Sequence, residues 1–348
     1  MQGQMENVAA PSRHCATEPC ATGRRRLGSG RSVRGSLHRI ISTARTAALV
    51  ASAAALSLAL DAWPAAPLAK QAIGAKQDVV AQQSRGNSTQ TDTLTSWSTE
   101  VVTVEVRPQV AMRYLALAPP RPKAAVILFA GGDGILRLGQ DGTIGTNLHL
   151  NFLMRSRARF ASHGLFVAAL DGASDHLAVG LDGSVRLAQE HRDDIRVIVA
   201  SVRTRSGGLP VWLVGTSSGT LSVVNAAPKS GESHHDVAGV VLASPQTALF
   251  TDRHSPAHSC GRHVYDEPLF GKITGPVLVV VNANDDCNCS PPASASKLLG
   301  TVKTPQQNLI TFDSSERLSK HACDARTPHG FLGIEDSVVR AIAEWIER

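Results

Sequence analysis

The chain has 348 residues, of which 43% are hydrophobic and 18% are charged, as is typical of a globular protein with a sizeable core. Its net charge of +6 is unevenly placed, because residues 1–69 hold eight Arg and only three acidic residues. The remainder is nearly neutral, which removes the main argument for a nucleic-acid partner.

The first 69 residues predict an export signal. Several Arg residues precede an apolar run at 46–60, TAALVASAAALSLAL, and small residues with Pro64 follow it. The run is too short and alanine-rich to predict a stable membrane span in the mature protein. An organelle transit peptide and an uncleaved anchor are the alternatives. We expect a signal peptide and an exported, periplasmic or secreted protein, with a flexible polar spacer at 70–98.

From residue 99 the sequence alternates between strand-like and helix-like segments. Two amphipathic segments joined by a short link predict a hairpin at 99–107 and 110–118. Apolar runs predict further strands at 124–130, 165–172, 210–215, 238–245, 275–284 and 307–312. Periodic segments predict helices at 148–164, 185–204, from 218 onward, and at 333–348.

This order predicts one α/β domain over 99–348, with an open, mostly parallel sheet and helices on both faces. The longest irregular stretch, 246–274, is too short for a large cap domain and predicts a lid or loop excursion instead.

The segment VWLVGTSSGTLSVV at 211–224 contains a G-x-S-x-G motif with Ser217 at its centre. A strand before it and a helix after it would put Ser217 at the tip of a sharp turn, which Gly215 and Gly219 permit. Ser218 would then offer its backbone N–H at the helix N-terminus, where an oxyanion is stabilised. A plain glycine-serine loop is the alternative, since five residues alone do not exclude it.

An acid and a histidine follow Ser217 in the order that such a triad requires. Asp285 and Asp286 come just after a buried strand, where a parallel sheet places its site residues. His329 precedes the last helix and would take the proton of Ser217 as a general base. The alternative for His329 is an ordinary surface histidine, because the chain has 13.

A glycine-rich turn, FAGGDG at 129–134, follows the first buried strand of the expected parallel sheet. Its glycines leave backbone N–H groups available to an anion, although a tight connecting loop would have the same composition. A phosphate-binding loop is disfavoured because the G-x-x-x-x-G-K-[ST] pattern is missing, and we expect no cofactor.

The expected domain contains four cysteines: Cys260, Cys287, Cys289 and Cys323. An even number in an exported chain predicts two disulfides. Cys287 and Cys289 are too close in sequence to pair comfortably, so each is expected to have a distant partner. A zinc site is disfavoured because these cysteines and the nearby His258 and His263 fit no standard ligand spacing, and we expect no metal.

Four segments, VWLVGTSSG, FAGGDG, VVNANDD and HGFLGIEDSVVRAIAEWI, together resemble the α/β-hydrolase superfamily over roughly 99–348. The resemblance is greatest to exported bacterial hydrolases in which a cysteine precedes the terminal HGF. It implies that Ser217 is the nucleophile and His329 the base. It favours Asp286 over Asp285 as the acid, because Asp286 lies four residues after Asn282, as in the family's H-G-x-x-D pattern.

By the same resemblance, the backbone N–H groups of Gly132 and Ser218 would form the oxyanion hole. Two departures leave the first donor open between Gly132 and Asp133. Ala130 stands where the family usually has His, and Asp133 brings a carboxylate close to the expected oxyanion.

The resemblance also gives the cysteines a possible role at the site. A bridge from Cys287 or Cys289 to Cys323 would tie the loop of the acid to the loop of the histidine, and the other cysteine would pair with Cys260. The pairing stays open between these two possibilities.

We therefore expect an exported serine hydrolase, carboxylesterase-like, that cleaves an ester or related acyl bond through an acyl-enzyme. Its substrate would be a small molecule or an ester displayed on a polymer. The alternatives are a peptidase of the same fold and a binding protein that kept the fold without catalysis.

Overall fold

The computed structural model describes residues 96–145, 147–229, 236–250, 260–264 and 269–348. The expected export signal and nearly all of the expected spacer lie outside these residues. The chain divides into two compact units, Met1–Arg85 and Gly86–Arg348, and every described residue belongs to the second.

An eight-stranded sheet forms the centre of this unit. Its strands belong to a set of ten: β1 Ser98–Arg107, β2 Val110–Ala118, β3 Ala124–Phe129, β4 Leu165–Leu170, β5 Val211–Thr216, β6 Val237–Ala243, β7 Ala248–Phe250, β8 Cys260–His263, β9 Val277–Asn282 and β10 Gln307–Phe312. The sheet order is β1-β2-β4-β3-β5-β6-β9-β10. Strand β2 pairs antiparallel with both β1 and β4, and the other neighbours are parallel.

Six α-helices connect or follow these strands: α1 Phe152–Ser162, α2 Gly183–Leu187, α3 Gln189–Arg205, α4 Gly219–Ala226, α5 Ala293–Thr301 and α6 Glu335–Ile346. Helices α1 and α6 cover one face of the sheet, and their apolar side chains share a core with alternate residues of β3, β5 and β9. Helices α3, α4 and α5 bury their apolar sides against the opposite face. The predicted mostly parallel sheet with helices on both faces is therefore confirmed.

The strand order creates a crevice between β3 and β5. After β3 the chain turns to one side to form β4, and it then crosses to the other side of β3 to form β5. Parallel sheets bind their ligands at the carboxyl ends of strands where the order reverses in this way. The FAGGDG turn follows β3 and Ser217 follows β5, so both predicted site segments lie at this crevice.

Two predicted helices differ in detail. The segment 148–164 begins as a short 3-10 turn at Asn147–Leu150 before α1 starts. The segment 185–204 is divided into α2 and α3 at Ala188, whose ψ of 149° is extended. The side-chain amide of Asn225 donates to the carbonyls of Arg186 and Ala188 at this break, and the Ala188 carbonyl also accepts the Arg192 N–H at the start of α3. Helix α5 was not predicted from the sequence.

The excursion at 246–274 contains the two-stranded antiparallel sheet of β7 and β8, within its described residues. The backbone N–H groups of Thr247 and Ala248 donate to the carbonyl of Cys289, which anchors the excursion beside the loop after β9. Among the helices that the structure describes, none is long and apolar enough to cross a membrane.

Candidate active site

Ser217 lies on a sharp turn between β5 and α4. Its φ of 52° is in the left-handed region, which a residue with a side chain adopts only at some energetic cost. Two hydrogen bonds hold this conformation, since the Ser217 N–H donates to Ala243 O at 3.0 Å and the Thr220 N–H donates to Ser217 O at 3.0 Å. The side chain of Ser217 is therefore presented at the tip of a strained strand-to-helix turn, as the G-x-S-x-G motif predicted.

Glycines around this turn are required by close approach of the backbone. A Cβ at Gly131 would lie 2.8 Å from Ser217 Cβ, and a Cβ at Gly215 would lie 2.8 Å from Gly219 O. At Gly219 a Cβ would overlap the carbonyl oxygen of Phe129. The glycine-rich turn after β3 thus lies directly against Ser217. A larger residue at Gly131, Gly215 or Gly219 would prevent this close approach.

The backbone N–H groups of Gly132 and Ser218 meet no hydrogen-bond acceptor among the described residues. The turn itself is closed by Gly134 N–H donating to Gly131 O at 3.2 Å and by Ser218 Oγ donating to Gly132 O at 2.9 Å. A pair of unoccupied backbone donors on either side of a serine nucleophile can stabilise a developing oxyanion.

The Asp133 side chain makes no hydrogen bond to the Gly132 or Ser218 N–H among the described residues. Its side-chain oxygen Oδ1 accepts a hydrogen bond from the Ile135 N–H at 3.2 Å, further along the same turn. A Cβ on Gly180 would lie 3.0 Å from Asp133 Cβ, so the Asp133 side chain lies beside Gly180. The carboxylate is exposed, which weakens its electrostatic effect on the crevice.

The carboxylate that contacts the histidine is Asp285, and the preference for Asp286 was wrong in this respect. His329 Nδ1 and Asp285 Oδ2 are 2.8 Å apart, and both side chains are almost fully buried. Asp286 instead forms an ion pair with Arg317 at 2.6 Å, and its side chain is 69% exposed.

The reason for the shift by one residue is the turn that follows β9. Asp285 N–H donates to Asn282 O at 3.1 Å, so the four residues 282–285 form a closed turn that directs Asp285 inward. Cys287 N–H then donates to Asp285 Oδ1 at 2.9 Å. Both oxygens of the Asp285 carboxylate are engaged, and its orientation towards His329 is fixed from two sides.

His329 is held in one orientation by its own loop. Its backbone N–H donates to Thr327 Oγ1 at 3.2 Å, and the single hydroxyl proton of Thr327 is shared between Ala322 O and Asp324 O, both at 2.9 Å. The ring nitrogen Nε2 is buried and has no hydrogen-bond partner among the described residues. With Nδ1–H donated to Asp285, Nε2 carries the lone pair that a general base needs, although it makes no hydrogen bond to Ser217 Oγ in this structure.

Arg155 of α1 braces the histidine loop from the neighbouring helix. Its guanidinium donates to Gly330 O at 2.5 Å and to Ala325 O at 3.2 Å, and it forms an ion pair with Glu335 at 2.8 Å. The ring of Phe331, the residue after Gly330, packs at 4.9 Å from the ring of Phe152. The loop that carries His329 is therefore attached to α1, which is itself ion-paired to the first residue of α6.

Two disulfides cross-link the domain, and they resolve the pairing that the sequence left open. Cys287 is bonded to Cys323, and Cys260 is bonded to Cys289, with Cα atoms 4.7 Å and 5.3 Å apart. The first bridge joins the loop of Asp285 to the loop of His329. The second attaches β8 of the excursion to the same acid loop.

Two groups of potential metal ligands occur among the described residues, and each is already engaged. Asp285, Cys287 and His329 lie close together, but Cys287 is consumed in its disulfide. Asp175 and Glu190, which lie near His176, both form ion pairs with Arg107. A cation at the second group would have to compete with this guanidinium.

Two buried charged residues that contact the glycine-rich turn or the segment after it were not predicted as part of the site. Asp171, which follows β4, accepts the N–H groups of Leu136 and Leu138 and so holds the segment after the glycine-rich turn. Arg186 of α2 is 1% exposed and donates to the carbonyls of Ala130 and Gly132. The sequence offered no signal for either role, because each depends on contacts between distant segments.

Burial is the main cause of the lowered pKa values of Arg186 and His191. It lowers the pKa of Arg186 to about 10, and Asp133 partly opposes this through its negative charge. Burial, followed by the charge of Arg186, lowers the pKa of His191 to about 3, so His191 is neutral at physiological pH. His191 Nε2 lies 2.9 Å from Ser222 Oγ, which also accepts a hydrogen bond from Arg186 at 3.0 Å.

Comparison with known proteins agrees with this architecture. The family described as Hydrolase_4, serine aminopeptidase S33, matches residues 144–265. A dienelactone hydrolase from Anabaena variabilis is similar in structure, with a TM-score of 0.51 and 14% identity over 72% of this chain and 97% of that one. An esterase from Pyrococcus furiosus has a TM-score of 0.51 and 12% identity over 76% of this chain and 96% of that one. No curated protein is similar enough in sequence to count as a relative.

These similarities concern the fold, since the identities are low. The family match over residues 144–265 supports a hydrolase. Within its described residues, the excursion is too small to be a cap domain. The chain therefore has an α/β-hydrolase fold, and its residues 144–265 match the Hydrolase_4 family.

Proposed function

We propose that this chain is a serine hydrolase that cleaves an ester or related acyl bond through an acyl-enzyme. The observation that carries the proposal is the buried Asp285–His329 pair, with Nε2 left unpartnered among the described residues, at the same sheet edge as the strained Ser217 turn. A buried histidine whose second nitrogen is orphaned is unusual for a purely structural residue.

In the proposed reaction, Ser217 Oγ attacks the carbonyl carbon of the ester while His329 Nε2 takes the hydroxyl proton. Asp285 holds the imidazole in the required tautomer and stabilises its positive charge. The Gly132 and Ser218 N–H groups would bind the oxyanion of the tetrahedral intermediate. The intermediate expels the alcohol, which leaves with the proton from His329.

The second half of the reaction repeats the same steps with water. His329 Nε2 takes a proton from a water molecule, and the resulting hydroxide attacks the acyl carbon bound to Ser217. Collapse of this second intermediate releases the carboxylic acid and returns the proton to Ser217 Oγ. Apart from the ester and the water molecule, every group in this scheme belongs to the chain itself.

We further propose that the protein acts outside the cytoplasm, in the periplasm or as a secreted protein. Two disulfides support this, because such bonds persist mainly in oxidising compartments. The substrate is proposed to be a small ester or an ester displayed on a polymer, since the described residues of the excursion form no large cap over the crevice.

A peptidase is the second candidate, and the match to a family described as serine aminopeptidase favours it. The two candidates share the acyl-enzyme and differ in the leaving group. Turnover of short p-nitrophenyl esters against amino-acid p-nitroanilides, measured on one preparation, decides between them. We expect the ester to be the better substrate.

Labelling with a fluorophosphonate tests the shared chemistry. We expect covalent modification of Ser217, located by peptide mapping, and no labelling of Ser217→Ala. If the oxidised wild-type protein takes up no label and turns over neither substrate, the chain is not a serine hydrolase and the binding-protein alternative gains support.

A further inference from the structure

Arg186 is a buried cation that meets no carboxylate in the part of the chain that the structure describes, and the proposed mechanism does not use it. Its side chain is 1% exposed, and among the described residues its guanidinium meets only neutral oxygens. Fully buried arginines are rare unless they are paired, because removal of a charge from water is costly. A buried cation without a charged partner therefore points to a functional role.

The acceptors of Arg186 surround the expected oxyanion hole. Nη2 donates to Ala130 O at 3.2 Å and to Gly132 O at 3.3 Å. Nη1 donates to Ser222 Oγ at 3.0 Å on α4, the helix that begins after Ser218. One guanidinium therefore connects the glycine-rich turn, which carries one oxyanion donor, to the helix whose N-terminus carries the other.

Because each peptide unit is planar, the contacts to these carbonyl oxygens also restrict the direction of the neighbouring backbone N–H groups. Arg186 holds the peptide units on both sides of the Gly131–Gly132 peptide, those that contain Ala130 O and Gly132 O. The peptide between them is fixed at its own oxygen, because Gly131 O accepts the Gly134 N–H. With three successive planes fixed, the Gly132 N–H has a single orientation, although Gly132 has a φ of 62° and intrinsic freedom to move.

The charge of Arg186 also acts on the crevice. Exposed Asp133 is the one negative group in the glycine-rich turn, and its field would oppose an oxyanion there. A fixed cation behind the turn, in a medium of low dielectric constant, offsets that field and requires no reorganisation during the reaction.

We propose that Arg186 is a positioning residue for the oxyanion hole, which it organises by holding the Ala130 and Gly132 carbonyls and tying them to α4. This inference rests on the proposed function and adds to it a group that never touches the substrate. It accounts for the break at Ala188, because the short helix α2 brings Arg186 beneath the turn while α3 continues along the sheet.

Steady-state hydrolysis of p-nitrophenyl butyrate tests the proposal, with Arg186→Met and Arg186→Lys as variants. Loss of an organised oxyanion donor lowers kcat by about 100-fold in comparable sites. We expect Arg186→Met to show a loss of this size with KM changed by less than about threefold, since the donor acts mainly on the transition state. Arg186→Lys, which keeps the cation but not the fork of donors, should lose about tenfold.

Inhibition by phenylboronic acid, which forms a tetrahedral adduct with the serine, separates positioning from general loss of structure. The inhibition constant should rise by the same factor as kcat/KM falls, with values corrected for the active fraction by fluorophosphonate titration. The matched control is Arg113→Met, because Arg113 donates to the carbonyls of Leu138 and Gly139 further along the same segment. We expect this control to retain kcat within about threefold.

A folded Arg186→Met enzyme with kcat within about threefold of wild type overturns the proposal, as does a loss that Arg113→Met reproduces. If Arg186→Met does not fold, the same criterion applies to Arg186→Lys. If wild type shows no turnover and no labelling, the proposed function fails separately. The positioning role is then decided by a crystal structure of Arg186→Lys, in which unchanged Ala130 and Gly132 carbonyls would rule it out.

Discussion

At the scale of single residues, the two adjacent aspartates after β9 have different roles. Asp285 is buried and contacts both His329 Nδ1 and the Cys287 N–H, whereas Asp286 faces solvent beside Arg317. The difference arises from one turn of the backbone, because neighbouring residues in a tight turn point in different directions.

Substitution of each aspartate by asparagine tests this assignment. Asp285→Asn should lower kcat by about 10³-fold or more, because an amide no longer fixes the imidazole tautomer or stabilises its charge. Asp286→Asn should stay within about threefold of wild type, since an exposed ion pair contributes little. Ester hydrolysis by the two purified variants, compared at equal folded concentration, measures the difference. Equal losses in both would contradict the assignment of Asp285.

At the scale of elements, the loops after β9 and before α6 form one cross-linked unit. Cys287–Cys323 joins them covalently, and Thr327 and Arg155 add hydrogen bonds to the second loop. The second disulfide, Cys260–Cys289, attaches β8 instead and makes no link to the loop of His329. The two bridges therefore differ in what they position, although they close loops of similar length.

Removing each disulfide in turn distinguishes its effect on the stability of the domain from its effect on the position of His329. The bridges span 36 and 29 residues, so the chain-entropy estimate assigns each about 4 kcal/mol of stabilisation. Cys287→Ala with Cys323→Ala should in addition lower kcat by about tenfold or more, because small displacements of a base are costly. The matched pair, Cys260→Ala with Cys289→Ala, should lose similar stability and retain kcat within about threefold.

Urea unfolding and ester hydrolysis of the two double variants, under conditions where both are folded, provide the comparison. Similar activity losses in the two double variants would mean that the Cys287–Cys323 bridge only stabilises the domain. Unequal stabilities would instead point to residual structure in the unfolded state of one of the double variants.

At the scale of the whole molecule, the buried His191 couples stability to pH. Its folded-state pKa of about 3 lies below the ordinary value of 6.5, so the unfolded chain binds a proton first as the pH falls. Stability contributed by neutral His191 is fully present above pH 6.5 and is lost progressively down to about pH 3. A fully effective group of this kind gives a slope of about 1.4 kcal/mol per pH unit.

The free energy of unfolding in urea, measured from pH 7 to pH 4, tests this coupling. Wild type should lose stability towards pH 4 faster than His191→Gln, which cannot take up a proton. Other titrating groups contribute to both proteins and cancel in the difference. Parallel curves for the two proteins would mean that His191 is not buried as a neutral group.

Much of the fold was predictable because it follows from local pattern. The alternation at 99–118 predicted the hairpin of β1 and β2, and the strand at 307–312 agrees with β10 residue for residue. Helix α5 was not predicted, and the break at Ala188 was hidden within an otherwise helical pattern. At that break the Ala188 carbonyl accepts a hydrogen bond from Asn225, a residue 37 positions away, which no local pattern contains.

The sequence by itself determined the class of the fold, the order of serine, acid and histidine along it, and an even set of cysteines. These follow from hydrophobic periodicity and from residue type, which are local properties of the chain. Only the tertiary structure decided that Asp285 contacts His329, that Cys287 pairs with Cys323, and that Arg186 lies beneath the glycine-rich turn. Each of these depends on where distant backbone segments meet and on which way a turn directs a side chain.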